Sequence, residues 1–497
     1  MVSHRDGSEI NLLDSSIRTT GGALFSTTVY ALSGIVYAAV TTPSVAGTYF
    51  FIAIGIALVL RPIKGISQTL QKIGSEQGES VSSYFGLTIV FTVGYLTIIL
   101  GGFMIPPLRR VLIESTAFAP SLVIPVILLA ISTALLMITQ SLVAAIGYPS
   151  AGTWITATKG TLQLIILLLF DGIFTTPADL IIVVVGTRMF VTGVVIIAIR
   201  TAPTVPTHRE LARAWGFARW SIPDQVLDRF SYNMPVYVLG VVATPAAVGI
   251  YETADRFADF GATISWRLAS PLLTKVSGDA SAGESAFAYL DGAVTGGTGV
   301  TFLVLGYLLA GHDMIAAIAF GGTAVGSFST TALIVGGINI FRGFWTLSSH
   351  AMEGLGYPSV SFRTKAYGLI FSVPITAFFG AQMGAVAGAI GYAIMNLVIF
   401  AYVIYYARPV LGGVPLDASL AAKLTVGTII STLVTTATIE LLSRLGSTPG
   451  VTAVIAAVTT TIIFTGFLMT VSIGTRRAVQ RAYDIYIGDA RSFASGQ

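Results

Sequence analysis

Two short phrases occur twice in this chain, in the same order and at nearly the same spacing. TPSVAGTY at 42–49 returns as TPAAVGIY at 244–251, and IGYPS at 146–150 returns as LGYPS at 355–359. Either match alone is weak, because Gly, Pro and Thr are common in membrane loops. Two matches in one register, about 200 residues apart, indicate that the chain contains a duplicated module.

The composition indicates that this duplicated module lies in a membrane. Of the 497 residues, 54% are hydrophobic and only 10% are charged, whereas a soluble domain carries about 25% charged residues. The net charge of +4 comes from Lys and Arg residues that mostly flank apolar stretches. Such residues set membrane topology, so the charge does not predict nucleic-acid binding. The absence of Cys excludes disulfides and thiolate metal sites.

Apolar segments of about 20 residues, the length that crosses a bilayer as a helix, recur along the whole chain. The predicted spans are 22–41, 45–63, 83–104, 120–142, 152–172, 179–199, 222–243, 247–270, 288–310, 326–349, 365–381, 384–405, 419–442 and 450–473. We therefore expect an all-α polytopic membrane protein with about 14 transmembrane helices. The duplication predicts two pseudo-repeated six-helix bundles, followed by two C-terminal helices.

The same pattern predicts the domain boundaries and the orientation. We expect an N-terminal tail at 1–20, a first bundle at 21–199, a basic linker at 200–221, a second bundle at 222–405, two extra helices within 419–473, and a C-terminal tail at 474–497. Most Lys and Arg residues, such as those of the loop with Arg61, Lys64 and Lys72, then lie on the side of the N-terminus. The positive-inside rule places both termini in the cytoplasm and the chain in the cytoplasmic membrane.

Two segments do not follow the simple pattern of spans and short basic loops. IPPLRRVLIESTAF at 105–118 is amphipathic, and we expect it in the outer membrane interface. HDMIAAIAFGG at 312–322 is its counterpart in the second copy.

A row of charges inside the predicted eighth span is the clearest functional signal. Glu252, Asp255, Arg256 and Asp259 fall at helical spacing, while the duplicate span at 45–63 has apolar residues at the equivalent positions. Ionisable groups at membrane depth cost roughly 2.5–3.5 kcal/mol each, and the first copy shows that the scaffold does not require them. Two interpretations stay open: the lining of a polar cavity, and a structural cluster of ion pairs or surface charges.

Further polar residues lie on other predicted spans. Asp228, Arg229 and Asn233 precede Pro235 in the seventh span. Single cations occur at Lys159, Arg188 and Arg342, with Asn339 and Thr346 on the face of Arg342, and a weaker hydroxyl stripe is formed by Ser26, Tyr30, Ser33 and Tyr37. An arginine beside a water-filled cavity suits phosphate, because its planar fork donates two parallel hydrogen bonds. Each cation taken alone suits equally well a structural role, by snorkelling or by capping a neighbouring helix.

Enzyme motifs are absent from the sequence. The four His residues are scattered without metal-ligand spacing, and no GxxxxGK[ST] phosphate loop occurs. The predicted outer loops are too short for an extracytoplasmic catalytic domain of a membrane polymerase or ligase. We expect that the chain is not an enzyme and carries neither metal nor cofactor.

Several motifs together resemble one superfamily of membrane exporters. They are VGIY at 248–251, the closing Pro271, AFGG at 319–322, EGLGYPS at 353–359 and GAVAGAIGYAI at 384–394. The pattern, over roughly residues 15–475, resembles the multidrug, oligosaccharidyl-lipid and polysaccharide exporter superfamily, nearest to its polysaccharide and lipid-linked oligosaccharide flippases. The resemblance implies two six-helix bundles around a cavity that opens alternately to each side.

The resemblance also implies a cargo, a polyprenyl or dolichyl (pyro)phosphate that carries a saccharide for surface polysaccharide or glycoprotein assembly. Candidate substrate-binding residues are then Arg229, Arg256, Arg188, Arg342, Asn233 and Asn339, and candidate ion-coupling residues are Asp228, Asp255 and Asp259. Expected partners are the lipid-linked saccharide, membrane lipids and other membrane proteins of glycan assembly, without nucleic acid. The alternative is an ion-coupled multidrug exporter of the same superfamily, which predicts an acidic cavity and twelve spans.

Overall fold

The computed structural model describes residues 12–74, 80–103, 120–170, 172–281, 287–355, 357–411 and 418–471. Every regular element among these residues is a helix, which confirms the predicted all-α membrane fold. The amphipathic segment predicted at 105–118 and the tail predicted at 474–497 lie outside the described residues.

Sixteen α-helices, which we number in chain order, and one short 3₁₀ turn make up the described part of the chain. The first eight are α1 Leu12–Ala39, α2 Pro43–Val59, α3 Arg61–Gly74, α4 Val81–Phe103, α5 Val123–Ala145 (after the 3₁₀ turn Pro120–Leu122), α6 Pro149–Leu169, α7 Pro177–Ile199 and α8 His208–Tyr232. The other eight are α9 Met234–Val242, α10 Pro245–Ser281, α11 Phe287–Phe320, α12 Val325–Gly354, α13 Pro358–Met383, α14 Ala385–Leu411, α15 Ala418–Arg444 and α16 Pro449–Val471.

All fourteen predicted spans coincide with helices. Within the described ranges, nine helices are long and apolar enough to cross a membrane by themselves, or ten if the bent pair α2 and α3 counts as one span. The other spans are short, broken or carry charged side chains inside the helix, as α10 does. The protein is therefore a multi-pass membrane protein.

The loop predicted around Lys64 is in fact a helix, α3. Ile63, Ile66, Leu70 and Ile73 recur at helical spacing and are buried, which stabilises a helix even though the opposite face is charged and polar. The bend between α2 and α3 is 52°. The prediction of a loop was wrong because a search for apolar runs overlooks a short amphipathic helix.

The segment predicted as a linker loop at 200–221 is helical from His208. A capping box starts α8: the Thr207 side chain accepts a hydrogen bond from the Glu210 backbone N–H, and the Glu210 carboxylate accepts from the Thr207 N–H at 2.6 Å. The backbone N–H of Thr207 holds the pKa of the exposed Glu210 carboxyl below its usual value. The helix then breaks at Asn233, so the predicted seventh span is formed by α8 and α9.

Two further boundaries differ from the prediction. α1 begins at Leu12, inside the segment predicted as a tail at 1–20. The segment at 312–322, predicted as an interfacial counterpart, continues α11 up to Phe320. Gly321 and Gly322 end this helix with φ values of 57° and 86°, in the left-handed region that glycine adopts without strain.

The repeated phrases are helix starts. Thr42 and Thr244 each accept a hydrogen bond from the backbone N–H three residues later, at 3.3 Å in both copies. The Pro that follows opens α2 in one copy and α10 in the other. The two YPS phrases likewise open α6 and α13. The duplication therefore conserves local geometry at matching points of the two copies.

The chain divides into two compact units. The first unit comprises Met1–Phe257, Ala319–Thr331 and Lys365–Met395, and the second comprises Ala258–Ile318, Ala332–Thr364 and Asn396–Gln497. Their boundaries pass through helices α10 to α14, whereas the predicted bundles meet in the 200–221 segment. The division into two six-helix bundles, with its boundaries, stays a prediction.

Each unit has its own apolar core. In the first unit, Leu60, just before α3, and Leu70 of α3 pack with Tyr84 of α4 and Leu142 of α5. In the second unit, Leu272 of α10 packs with Phe344 and Leu347 of α12. α15 also joins α11 there, because Thr428 and Thr432 donate hydrogen bonds to the Phe302 and Gly306 carbonyls at 3.2 and 3.1 Å. Such hydroxyl bonds link helices where water is excluded.

Candidate functional site

The charged row on α10 is buried. Glu252 is 2% exposed and Arg256 is 9% exposed, and Asp255 and Asp259 are similarly covered. Unpaired charges at such positions are costly. The partners of each charged group therefore indicate whether the row is structural or lines a binding site.

Arg256 has partners on three helices of the first unit. Its Nε donates to Glu252 Oε1 at 2.8 Å, one helical turn away, as the i,i+4 spacing predicted. Its Nη1 donates to Ser33 Oγ on α1 at 3.0 Å. The guanidinium also lies 4.3 Å from the Tyr30 ring centroid and 4.4 Å from that of Phe50, within the range of cation–π attraction.

The close fit of α1 against Arg256 depends on a glycine. A Cβ on Gly34 would lie 3.0 Å from Arg256 Cδ, so a larger residue there would push the arginine side chain away. The Tyr30 hydroxyl donates to Glu252 Oε1 at 3.3 Å. The polar stripe on α1 therefore orients both members of the ion pair.

Two further cations belong to the same site. Lys159 of α6 lies within electrostatic reach of both Arg188 of α7 and Arg256. Arg188 Nη1 donates a hydrogen bond to Thr133, while its buried Nε has no hydrogen-bond partner among the described residues. We name Lys159, Arg188 and Arg256 the cation cluster.

Among the described residues of this part of the first unit, we find two acids beside the three cations. Glu252 is bonded to Arg256, and Asp255 is buried within electrostatic reach of Tyr251. The phenol groups of Tyr37 and Tyr49 lie near Arg188. The cation cluster thus presents positive charge together with aromatic rings and hydroxyls, the lining that suits an anion with a polar group attached.

A second charged group of the first unit surrounds the break between α8 and α9. We name Arg61, Asp228, Arg229 and Lys365 the junction cluster. Lys365 Nζ donates to Asp228 Oδ1 at 2.9 Å, and Arg61 Nη1 donates to Gln225 Oε1 at 3.2 Å.

Asn233 and Tyr237 connect this cluster to the backbone. Asn233 Nδ2 donates to the Arg229 carbonyl at 3.1 Å and so completes the end of α8. The Tyr237 hydroxyl hydrogen-bonds the Arg229 side chain and donates to the Ile54 carbonyl of α2 at 3.3 Å.

The second unit contains a buried ion pair between two of the predicted site residues. Arg342 of α12 donates through Nη1 to Asp259 Oδ1, and both side chains are almost fully buried. The Arg342 guanidinium lies 5.9 Å from the Trp266 ring centroid. Asn339 and Thr346, predicted on the same face of α12, are buried as well.

The structure therefore groups the predicted site residues in three places. Arg188 and Arg256 share the cation cluster, with Asp255 buried beside it on α10. Asp228 and Arg229 belong to the junction cluster, which Asn233 adjoins. Arg342, Asn339 and Asp259 belong to the second unit. Their assignment to substrate binding or ion coupling stays a prediction.

Some members of these groups were not among the predicted site residues. Lys159 was noted only as an isolated cation, and Arg61 only as a loop charge. Phe50 gave no signal, because an aromatic residue in an apolar span is ordinary. The stripe of Tyr30 and Ser33 did point to this face of α1. Among the described residues, no three His, Cys, Asp or Glu side chains come together as metal ligands.

Comparison with known proteins adds a distant relative. No family model matches this chain. Over 211 residues it is 24% identical to a probable low-salt glycan biosynthesis flippase, Agl15, of Haloferax volcanii. The match covers 41% of this chain and 44% of that protein, so the chain spans less than half the length of this curated relative.

Solved structures match over far more of the chain. The lipid II flippase MurJ, in an inward closed conformation, aligns with 91% of this chain and 98% of its own, with a TM-score of 0.70 and 14% identity. The chain has the fold of the multidrug, oligosaccharidyl-lipid and polysaccharide exporter superfamily. An inward-facing multidrug resistance MATE transporter of this superfamily aligns with 80% of the chain, and with 98% of its own, at a TM-score of 0.63 and 14% identity. The superfamily fold thus agrees with the resemblance seen in the sequence motifs, and at these identities the likeness concerns the fold alone.

Proposed function

We propose that the chain is a flippase. It moves a polyprenyl- or dolichyl-(pyro)phosphate-linked saccharide across the cytoplasmic membrane by alternating access, for surface polysaccharide or glycoprotein assembly. The observation that carries the proposal is the cation cluster, in which Lys159 lies within electrostatic reach of both Arg188 and Arg256 inside a membrane fold. The Haloferax relative, named as a probable glycan biosynthesis flippase, supports the same class of cargo.

The charge of the cation cluster argues for an anionic cargo. A structural ion-pair network would balance its charges, because an unbalanced buried cation costs several kcal/mol. Here two acids, Glu252 and Asp255, accompany three cations among the described residues, and Arg188 is bonded to a neutral hydroxyl. A phosphate or pyrophosphate group supplies the missing negative charge and several acceptor oxygens for the guanidinium forks. The aromatic rings and hydroxyls around Arg256 suit the first sugar.

Transport needs no covalent chemistry, so the proposed role of each residue is to bind or to release. The site residues hold the phosphate and the saccharide while the lipid tail stays in the bilayer, and the two copies rock around the site. Asp228, Asp255 and Asp259 are the proposed ion-coupling residues. A cation or proton that binds Asp228 or Asp259 has to displace Lys365 or Arg342, which would couple ion binding to movement of α13 or α12.

Reconstitution into liposomes tests the proposal. A labelled polyprenyl-phosphate-linked saccharide is incorporated, and a membrane-impermeant glycosidase reports the leaflet in which the sugar lies. We expect protein-dependent movement that slows by at least about tenfold in Arg256→Gln and in Arg188→Gln, because each loses a charge-assisted hydrogen bond. Arg444→Gln, which removes an exposed arginine of the second unit, is the matched control.

The competing function gives a different result in the same vesicles. An ion-coupled multidrug exporter would move organic cations against a proton or sodium gradient. No movement of several lipid-linked saccharides, together with such export, would reject the flippase. Unchanged saccharide movement in an Arg188→Gln, Arg256→Gln double variant would instead reject the cation cluster as the binding site. Association with other glycan-assembly membrane proteins is part of the proposal and is tested by co-purification.

A further inference from the structure

The junction cluster contains two arginines outside the cation cluster, and one of them, Arg229, is among the predicted substrate-binding residues. Arg61 lies where α2 bends into α3, and Arg229 lies one turn before the break that ends α8. The Nε atoms of both are buried and have no hydrogen-bond partner among the described residues. Buried donors are normally satisfied, so both guanidinium groups retain capacity for an acceptor.

The protein partners of these arginines are mostly neutral. Arg61 is bonded to the Gln225 amide oxygen. Arg229 is bonded to the Tyr237 hydroxyl, with its guanidinium 5.8 Å from the Tyr232 ring centroid. The carboxylate of the cluster, Asp228, is bonded to Lys365 and also lies within electrostatic reach of Arg61.

The two arginines also repel one another. Arg61 and Arg229 are close enough for their charges to interact directly, and Lys64 adds a third positive charge on the Arg61 side. Two like charges held together in a partly buried place are unfavourable, and an anion between them removes the penalty. A phosphate suits this role, because its several oxygens can accept hydrogen bonds from more than one guanidinium group.

The junction cluster is separate from the cation cluster. Phe50 of α2 contacts Arg256, and from Phe50 to Arg61 the chain rises roughly 16 Å at about 1.5 Å per helical residue. That distance is about half of the ~30 Å hydrocarbon core of a bilayer. The two clusters therefore lie at different levels along α2. Tyr237 lies between them, within electrostatic reach of Arg61, Arg229 and Glu252.

We propose that the junction cluster is a second binding station for the phosphate or pyrophosphate of a lipid-linked substrate, distinct from the cation cluster. The inference rests on the proposed function. With the N-terminus in the cytoplasm, the α2–α3 bend is on the cytoplasmic side, so the junction station receives the phosphate first and the cation cluster receives it second. Two stations let the charged group cross half of the membrane at a time without losing its counter-charges.

Binding measurements on the intact chain in zwitterionic nanodiscs test this station. A short-chain polyprenyl phosphate is titrated, and we expect two binding phases in the unaltered protein. Arg61→Gln and Arg229→Gln each weaken one phase by at least about tenfold, and Arg256→Gln weakens the other. Arg61→Lys keeps the charge but loses the fork, and we expect it to weaken the junction phase less than Arg61→Gln does. Arg209→Gln, on the exposed start of α8, is the control that alters neither phase.

The outcomes separate the two proposals. A single phase that Arg256→Gln abolishes and Arg61→Gln leaves intact overturns the second station, while the proposed function stands. Failure to bind any polyprenyl phosphate overturns both. Two further titrations, with phosphatidylglycerol and with inorganic phosphate, identify the source of the phosphate. If either one fills the junction phase at the same concentration, the junction cluster binds bulk lipid or free anion, and its role as a substrate station is overturned. Thermal unfolding of each variant checks that it folds.

Discussion

Gly47 and Gly249 pack against each other's helix at the crossing of α2 and α10. A Cβ on Gly47 would lie 1.6 Å from the Pro245 carbonyl oxygen, and a Cβ on Gly249 would lie 2.2 Å from that of Pro43. The two glycines hold the same position in the two copies of the repeated phrase. The duplicated helix starts thus contact one another in a nearly symmetric manner, which only glycine at both positions allows.

We expect Gly47→Ala and Gly249→Ala to destabilise the protein, each by roughly 1–3 kcal/mol. The added methyl group would overlap a backbone carbonyl, which cannot rotate away as a side chain can. Gly55→Ala is the matched control on the same helix, because a Cβ there meets nothing within 4 Å. It should be neutral or slightly stabilising. Unfolding in detergent, followed by intrinsic tryptophan fluorescence, measures the three variants. Equal effects at Gly47 and Gly55 would contradict the close crossing.

The sequence predicted the repeat and the apolar helices well, because both depend on local composition. It predicted neither α3 nor the start of α8, where charged faces conceal the helical period. The capping residues Thr207 and Glu210 were visible in the sequence and would have identified the second helix.

The candidate site was predictable only in part. Arg256 and its Glu252 partner lie on one helix, so their spacing was enough. The association of Arg256 with Arg188 and Lys159 joins α10 to α6 and α7, which are distant from it in sequence, and it depends on how each helix is rotated about its axis. Packing against neighbouring helices sets that rotation in a membrane, and the hydropathy of the sequence does not predict it.

The capping box of α8 should give a small pH dependence. The folded-state pKa of Glu210 is lowered by the Thr207 N–H, so its contribution is fully present above the unfolded pKa, about 4.3, and is lost as pH falls through the lower folded value. Amide exchange of the first α8 turn, compared with Glu210→Gln at each pH, should show extra protection at pH 7 that disappears in acid. Solvent screening keeps this effect well below about 1 kcal/mol. Protection that persists in Glu210→Gln at pH 7 would show that the carboxylate is dispensable.

A buried hydrogen bond should stabilise the second unit. Trp345 Nε1 donates to Asn396 Oδ1 at 3.0 Å, and both residues are buried. Asn396→Leu leaves the indole N–H without this acceptor and should cost about 1–3 kcal/mol. Adding Trp345→Phe should cost less than the sum of the two single changes, since neither partner then remains unpaired. Denaturant unfolding of the four proteins gives the coupling energy, and a value near zero would mean that the bond does not contribute.

Glu252 and Arg256 should affect cargo binding in opposite directions. Glu252→Gln keeps an oxygen that accepts from Arg256 Nε but raises the net charge of the site by one. It should therefore bind a polyprenyl phosphate several-fold more tightly, about 1 kcal/mol for one charge at short range in a partly solvated site. Arg256→Gln should bind at least about tenfold more weakly. Glu440→Gln, which removes an exposed acid paired with Arg444, should leave affinity unchanged.

This pair of variants separates the two interpretations of the charged row. If the row were only a structural ion-pair cluster, breaking it from either side would disturb the same packing, and both variants would lower stability and affinity together. Opposite changes in affinity, with similar thermal stability, require that an anion senses the net charge beside Arg256. Because Tyr30 also contacts both members of the pair, Tyr30→Phe serves as a neutral reference: it removes one hydrogen bond to Glu252 and alters no charge.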